Sequence, residues 1–398
     1  MSRFHSYLNS AKSILLAYNG TEPFSSYLKK WFAAEKKFGS KDRKYIEQFC
    51  YSYFRTAKLR SCKPDENSIL TGLFLCAISP DEILTELKPE WSPHTGLTLH
   101  EKLKLLNYDL ASVFPWQEEL SEGTDYESFC ASFFARPDVF LRLRDDGCGA
   151  IVKDKLQQKN IFFKEVTENC LALPSASKIS EVLALDYEAM IQDLNSQRTG
   201  EFMRIAAESL HLPFISVWDC CAGSGGKSLL MYDIYQQMDL TVSDSRESIL
   251  RNLKKRFSAH GIPKYEIVLA DLSKRPAKFR GDAKFNLIIC DAPCTGSGTW
   301  GRTPEQLCYF NNDSIEYYAN LQKKVVSNTV TCLTPGGFFL YITCSVFKKE
   351  NEEIVSFIKE QFHLQLVKME LLKGYDNLSE GKAGKADTMF AALLKKSL

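Results

Sequence analysis

Two cysteines stand just beyond runs of strand-forming residues. Cys294 lies in CDAPCTGSGTW (290–300), after FNLIIC, and Cys344 lies in YITCSVFKKENEE (341–353), after GGFFLYI. Both fall in turns rich in Gly, Pro, Ser and Thr, where a thiol stays accessible; Cys290 and Cys332 sit within apolar runs and read as core. Paired accessible thiols suit a reaction in which one adds to a ring carbon and a second polar group assists its release. Methylation of cytosine at carbon 5 makes that demand. The carbon is a weak nucleophile until a thiolate adds at carbon 6 and turns it into an enamine carbon. The proton on carbon 5 must then leave before the thiol can be eliminated. An acid such as Asp291 would bind the exocyclic amino group and ring nitrogen 3, stabilising the adduct.

A methyl donor needs its own site. The turn DCCAGSGGKS (219–228) follows the apolar run FISVW and opens a stretch of helical spacing. Gly223, Gly225 and Gly226 let backbone approach a ligand closely. The turn is not a complete phosphate loop, whose first glycine would fall at Cys221, nor a complete dinucleotide fingerprint, because Ser228 takes the third glycine's place. The carboxylates define the ligand class better. Asp219, Asp244, Asp271 and Asp291 end successive predicted strands, with Asp244 placed to accept both ribose hydroxyls and Asp271 to reach an adenine amino group. Four acids suit a cationic, adenosine-bearing cofactor such as S-adenosylmethionine and repel a triphosphate.

The elements that must hold these turns alternate strictly from about residue 197 to 398: strand and helix in succession, with short apolar strands. That pattern predicts an α/β fold with a mostly parallel, doubly wound sheet and a ligand crevice beyond the carboxyl ends of its strands. Residues 116–196 read as a small α+β (RRM-like) module: DVFLRLR as strand, GAIVKDKLQQKN as helix, IFFKEV and CLALP as strands. Residues 1–115 read as helical. Within them, the stretch from Leu28 to Lys63 carries eleven Lys or Arg against three acids, interleaved with Trp, Phe and Tyr. It is either a helical bundle with solvated basic faces or an aromatic-laced surface for RNA.

Composition narrows the class. A chain of 398 residues, 44% hydrophobic, holds two or three domains with real cores. Thirteen cysteines without repeated spacing, no C-x-x-C or C-x-x-H pair, and six scattered histidines predict free thiols and no metal site. No run reaches the length of a membrane span and the start lacks a secretory signal, so a cytoplasmic protein is expected. A net charge of +1 neither requires nor excludes a polyanion.

At these residues the chain resembles the NSUN/RsmB/Sun family of RNA (cytosine-5)-methyltransferases. The likeness rests on DCCAGSGGK, DAPCTGSGTWGRTPE and TCSVFKKENEE, with YEAMIQDLNSQ resembling the segment leading into the catalytic core, and covers about 130–398. It implies a Rossmann-like class I S-adenosylmethionine-dependent domain acting on rRNA or tRNA. Carried over residue by residue, Cys344 attacks the base, Cys294 assists release, and Lys227 contacts Asp291 near the base. Cofactor contacts are implied at Cys221, Ala222, Gly223, Ser224, Gly225, Gly226, Lys227, Asp244, Arg246, Asp271 and Asp291. DNA cytosine methyltransferases use the fourth-motif cysteine instead, so the choice of Cys344 rests on the resemblance.

The chain departs from the family pattern at Gly223 and Ser224, where Ala-Pro is usual, and at Trp300 and Gly301, where basic or aliphatic residues are common. Arg302 and Pro304 match. Trp300 is expected either to stack a base or to pack in a core. KDRKYIEQFCYSYFR resembles the NusB-like module of bacterial members. Two other functions compete. One is a non-catalytic RNA-binding assembly factor, which loss of either thiol would favour, and both are present. The other is methylation of an exocyclic amine, which typically uses an Asn- or Asp-Pro-Pro-aromatic turn where this chain has DAPC.

Overall fold

The computed structural model describes residues 3–59, 63–144, 147–175, 177–279, 282–376 and 384–398. The chain divides into two compact units.

The first comprises residues up to 118 with 125–136 and 299–311. Its helices pack around an aromatic cluster in which Phe24, Phe32, Phe49, Phe54 and Phe74 are buried. Phe32, Phe38, Phe49 and Phe54 of the basic stretch are therefore core rather than a stacking surface. Arg55 is core as well, donating to the carbonyls of Phe133 and Ala135 at 2.8 and 3.2 Å. Lys29, Lys30, Lys36, Lys37, Lys41 and Lys44 are exposed, while residues 60–62 of that stretch lie outside the described residues. Trp300 is 2% exposed and packs against Phe114 and Phe310, so of its two expected roles the structure selects packing.

The second unit holds two sheets. β1 (Val139–Leu143), β2 (Lys164–Thr167), β3 (Cys170–Leu173) and β4 (Ala189–Ile191) form an antiparallel sheet in the order β2-β3-β1-β4. The helix Gly149–Gln158 seals one face by packing Val152 and Leu156 on Leu141, Leu143 and Leu171. Strand β4 falls within YEAMIQDLNSQ, a segment that the sequence pattern does not mark as a strand.

The larger sheet contains β5 (Ile215–Asp219), β6 (Met238–Asp244), β7 (Glu266–Leu269), β8 (Phe285–Asp291), β9 (Leu333–Thr343), β10 (Gln365–Leu372) and β11 (Met389–Lys395), ordered β10-β11-β9-β8-β5-β6-β7. Strands β5 to β9 pair in parallel, while β11 runs antiparallel to both β9 and β10. The central strands are apolar throughout because both faces are covered. Val217, Leu287, Ile289, Leu340 and Ile342 face one layer; Trp218, Ile288, Phe339 and Tyr341 face the other. Arg142 of β1 joins the two sheets: its guanidinium donates to Gln192 at 2.7 Å and pairs with Asp233, which also meets the ring of buried His260 at 2.8 Å.

Candidate active site

The crossovers bring the strand ends that carry DCCAGSGGK, DAPC and TCS to one edge of the sheet. After β5 the chain turns through Ala222 and Gly223 into the helix Gly226–Ile234. Gly225 has φ +86°, and a Cβ there would lie 2.5 Å from the Phe257 ring, so both backbone and packing require glycine. Gly223, at φ +53°, borders open space: a Cβ would meet nothing within 4 Å. Its amide donates to Asp244 Oδ2 at 3.0 Å, fixing the turn to the end of β6.

Beside this turn lies a cavity of about 500 Å³. Cys221, Asp244, Arg246, Asp271, Asp291 and Cys294 border it. Ala222, Gly223, Gly225 and Gly226 shape the adjoining turn. Ser224 faces elsewhere, accepting from Arg256 Nη1 at Oγ (3.2 Å), and Arg256 is itself forked onto Asp186. Asp219 departs from its expected place among the ligand-facing acids. It is fully buried, accepts from Ser228 Oγ at 2.6 Å, and has no partner for Oδ1; burial pushes its carboxyl up to about 7. Asp244 is 7% exposed and also accepts from the Arg246 amide at 2.9 Å and from its guanidinium at 3.1 and 3.2 Å. Asp271 is held below the ordinary carboxyl range by Ser273 and Lys274. Sequence reasoning missed Tyr317, Tyr318 and Leu321, which line the cavity from the helix Asp313–Val330.

Next to the cavity, Lys227 Nζ lies 3.2 Å from Asp291 Oδ2 and donates to Ser196 Oγ at 2.7 Å. Ser196 belongs to YEAMIQDLNSQ, and its contact was legible only as membership of that segment. The Sγ atoms of Cys294 and Cys344 are 3.2 Å apart. The hydrogen bond to Cys344 and burial, followed by the charges of Cys344 and Glu350, push the Cys294 thiol up. Beneath both sits Glu350, fully buried. It accepts from Thr295 N at 2.9 Å, Thr295 Oγ1 at 2.6 Å, Ser345 Oγ at 2.7 Å and Gln322 Nε2 at 3.1 Å. Thr295 and Ser345 each follow one of the two cysteines directly. Burial still leaves the Glu350 carboxyl above its ordinary range.

A seven-stranded sheet of this order, with a Gly-rich turn after its first parallel strand and an acid at the end of the next, is the class I S-adenosylmethionine-dependent methyltransferase fold. Residues 214–395 match the family described as 16S rRNA methyltransferase RsmB/F. Ribosomal RNA small subunit methyltransferase B of Shewanella oneidensis is 25% identical over 256 residues, covering 62% of this chain and 55% of that protein. The chain thus spans about half the length of such curated relatives. Among solved structures, PH0851 superposes with a TM-score of 0.66 at 17% identity, over 100% of this chain and 99% of that one. A methyltransferase homolog protein from Pyrococcus horikoshii superposes with a TM-score of 0.54 at 22% identity, over 74% and 98%. These two likenesses speak for the fold.

The cavity fits the cofactor of this class. It is bounded by the almost buried Asp244 at the end of β6 and by Asp271 just beyond β7, beside a turn whose Gly223 borders open space. Among the described residues no helix is long and apolar enough to cross a membrane.

Proposed function

We propose that the chain is an S-adenosylmethionine-dependent RNA methyltransferase that forms 5-methylcytosine in rRNA or tRNA through a covalent cysteine–cytosine adduct. The single observation that carries this reading is the contact of Cys294 with Cys344, 3.2 Å between sulfurs, at the edge of a cavity shared with Asp291. Bound S-adenosylmethionine supplies an electrophilic sulfonium methyl. Asp244 and Asp271 hold its ribose and adenine, and the Gly223 turn leaves room for the rest.

Cys344, as thiolate, adds to carbon 6 of the cytosine, and the displaced π electrons make carbon 5 nucleophilic. Asp291, held by Lys227, binds the amino group and ring nitrogen 3 and stabilises the charge that develops there. Once carbon 5 carries the methyl group, the carbon 5–carbon 6 double bond re-forms as the bond from carbon 6 to Cys344 breaks; the electron pair stays on the Cys344 sulfur, which takes the Cys294 proton, and the Cys294 thiolate so formed accepts the proton from carbon 5. Cys294 assists this elimination. Its raised thiol pKa supports this division of labour, since the sulfur that keeps its proton is the poorer nucleophile and the available donor. A cytosine in structured RNA must be turned out of its stack to reach these groups.

Bisulfite sequencing of rRNA and tRNA from a deletion strain tests the proposal. Loss of one or more 5-methylcytosines, restored by the wild-type gene and not by Cys344→Ala, is expected. An unchanged pattern would leave the chain as a non-catalytic RNA-binding assembly factor.

A further inference from the structure

Three thiols that the proposed reaction does not use converge beside the same cavity, and two of them border it. Cys220 and Cys221 follow β5, and Cys290 lies in β8, the neighbouring parallel strand; the Cys220 amide donates to the Ile289 carbonyl at 2.9 Å and holds the two segments together. The three Sγ atoms all lie within 4.8 Å of one another. Cys220 and Cys290 are buried, Cys221 is half-buried, and Cys220 and Cys221 border the cavity.

Zinc–thiolate bonds of about 2.3 Å place sulfurs sharing one tetrahedral ion roughly 3.8 Å apart, so this triangle closes on a cation with small side-chain movement. Thiolates favour soft ions over hard ones, which take oxygen ligands. Asp291 lies near Cys290 and Asp244 near Cys221, so carboxylates stand close to an added positive charge. Three protein ligands leave a fourth position open, as sites that admit an outside ligand do.

We propose that Cys220, Cys221 and Cys290 form a binding site for a soft, closed-shell cation of the zinc–cadmium class, with its fourth position facing the cofactor cavity. On binding, three S–H bonds are replaced by three S–metal bonds and up to three protons pass to solvent. Because Cys220 and Cys221 border the cavity, an ion held by them takes room from S-adenosylmethionine, and the two exclude one another. The site stands whether or not the cytosine chemistry does.

The test uses the full chain carrying Cys294→Ser and Cys344→Ser, which removes the other close thiol pair, reduced by a non-thiol reagent. It is titrated with cadmium chloride and read by the ultraviolet cadmium–thiolate absorption. One equivalent per chain is expected, with S-adenosylmethionine weakening uptake. Cys221→Ser, at a half-buried position, should keep its circular dichroism spectrum and weaken cadmium by at least about tenfold, the size of even an outer-shell loss. Cys290→Ala should do the same if it folds. Absence of saturable uptake in the double variant, or uptake unchanged in folded Cys221→Ser, would overturn the site.

Discussion

Cys294 and Cys344 touch through their sulfurs at 3.2 Å although fifty residues separate them, each held by the turn that ends its own strand. β8 and β9 are parallel neighbours, paired Asp291 with Ile342, so both turns leave the sheet at the same edge. The hydrogen bond to Cys344 and burial push the Cys294 thiol above its ordinary range, and the proposed reaction sets the two sulfurs unequal tasks.

That inequality predicts opposite behaviour on substitution. Cys344→Ala should lose methyl transfer and any covalent RNA complex. Cys294→Ala can still add to the base, but elimination slows, so a denaturation-resistant protein–RNA adduct should accumulate with cofactor present. A denaturing gel, read for a shifted band that nuclease collapses, decides. A band for Cys344→Ala alone would exchange the two roles.

Asp244 receives the Gly223 amide and three donors from Arg246, and it is nearly buried. Replacing it removes the charged acceptor at the proposed ribose site and loosens the turn. Asp244→Ala should weaken S-adenosylmethionine binding by about 1–3 kcal/mol, measured by calorimetry. Unchanged affinity would take the acid out of the site.

The parallel sheet was legible because burial on both faces writes its strands as short continuous apolar runs, and the candidate site is read from residues that sit where those runs end. The rest depended on neighbours distant in sequence. GTWGRTPE follows DAPC after three intervening residues and reads as part of the active-site turn, yet Trp300 is drawn into the aromatic core of the helical unit by Phe114 and Phe310. Glu350 reads only as a member of a motif; its four donors come from Thr295, Gln322 and Ser345, on three different segments. Asp219 looks like its fellow strand-end acids, and only the packing of Ser228 over it shows that it faces inward. The Cys220–Cys221–Cys290 triangle escaped a search for C-x-x-C spacing because strand pairing, not a local loop, assembles it.

The exposed lysines of the helical unit are the remaining candidates for holding RNA phosphates, since the aromatic residues between them are largely consumed by the core. Reversing Lys29, Lys36 and Lys44 to Glu should weaken RNA binding and lower the slope of log affinity against log salt by about one for each phosphate no longer neutralised. S-adenosylmethionine affinity should not change. An identical salt slope would mark these lysines as a solvated face only.

Glu350 ties the residue after Cys294 to the residue after Cys344. Glu350→Gln keeps the shape but replaces one acceptor oxygen by a donor facing other donors, an unsatisfied arrangement costing about 1–3 kcal/mol. A lower Tm and a lower kcat are expected, with cofactor affinity preserved because Glu350 does not border the cavity. A purely structural role would lower Tm and leave kcat of the folded fraction at the wild-type value.

Asp219 offers a test of burial that does not depend on any reaction. Its carboxyl is raised from 3.8 to about 7 in the folded chain, so between those values the native state holds a proton that the unfolded state has released. Unfolding free energy therefore falls as pH rises through this window, by up to about 1.4 kcal/mol per pH unit from this group; the stabilisation is complete below the unfolded value and lost above about 7. Asp219→Asn carries no titrating proton. It can still accept from Ser228 Oγ, and its amide nitrogen takes the place of the partnerless oxygen. Denaturant unfolding at pH 4.5, 5.5, 6.5 and 7.5 should show a shallower decline for the variant than for the wild-type chain, the two curves separating most at the highest pH. Parallel curves would mean that Asp219 ionises at its ordinary value and that water reaches the end of β5.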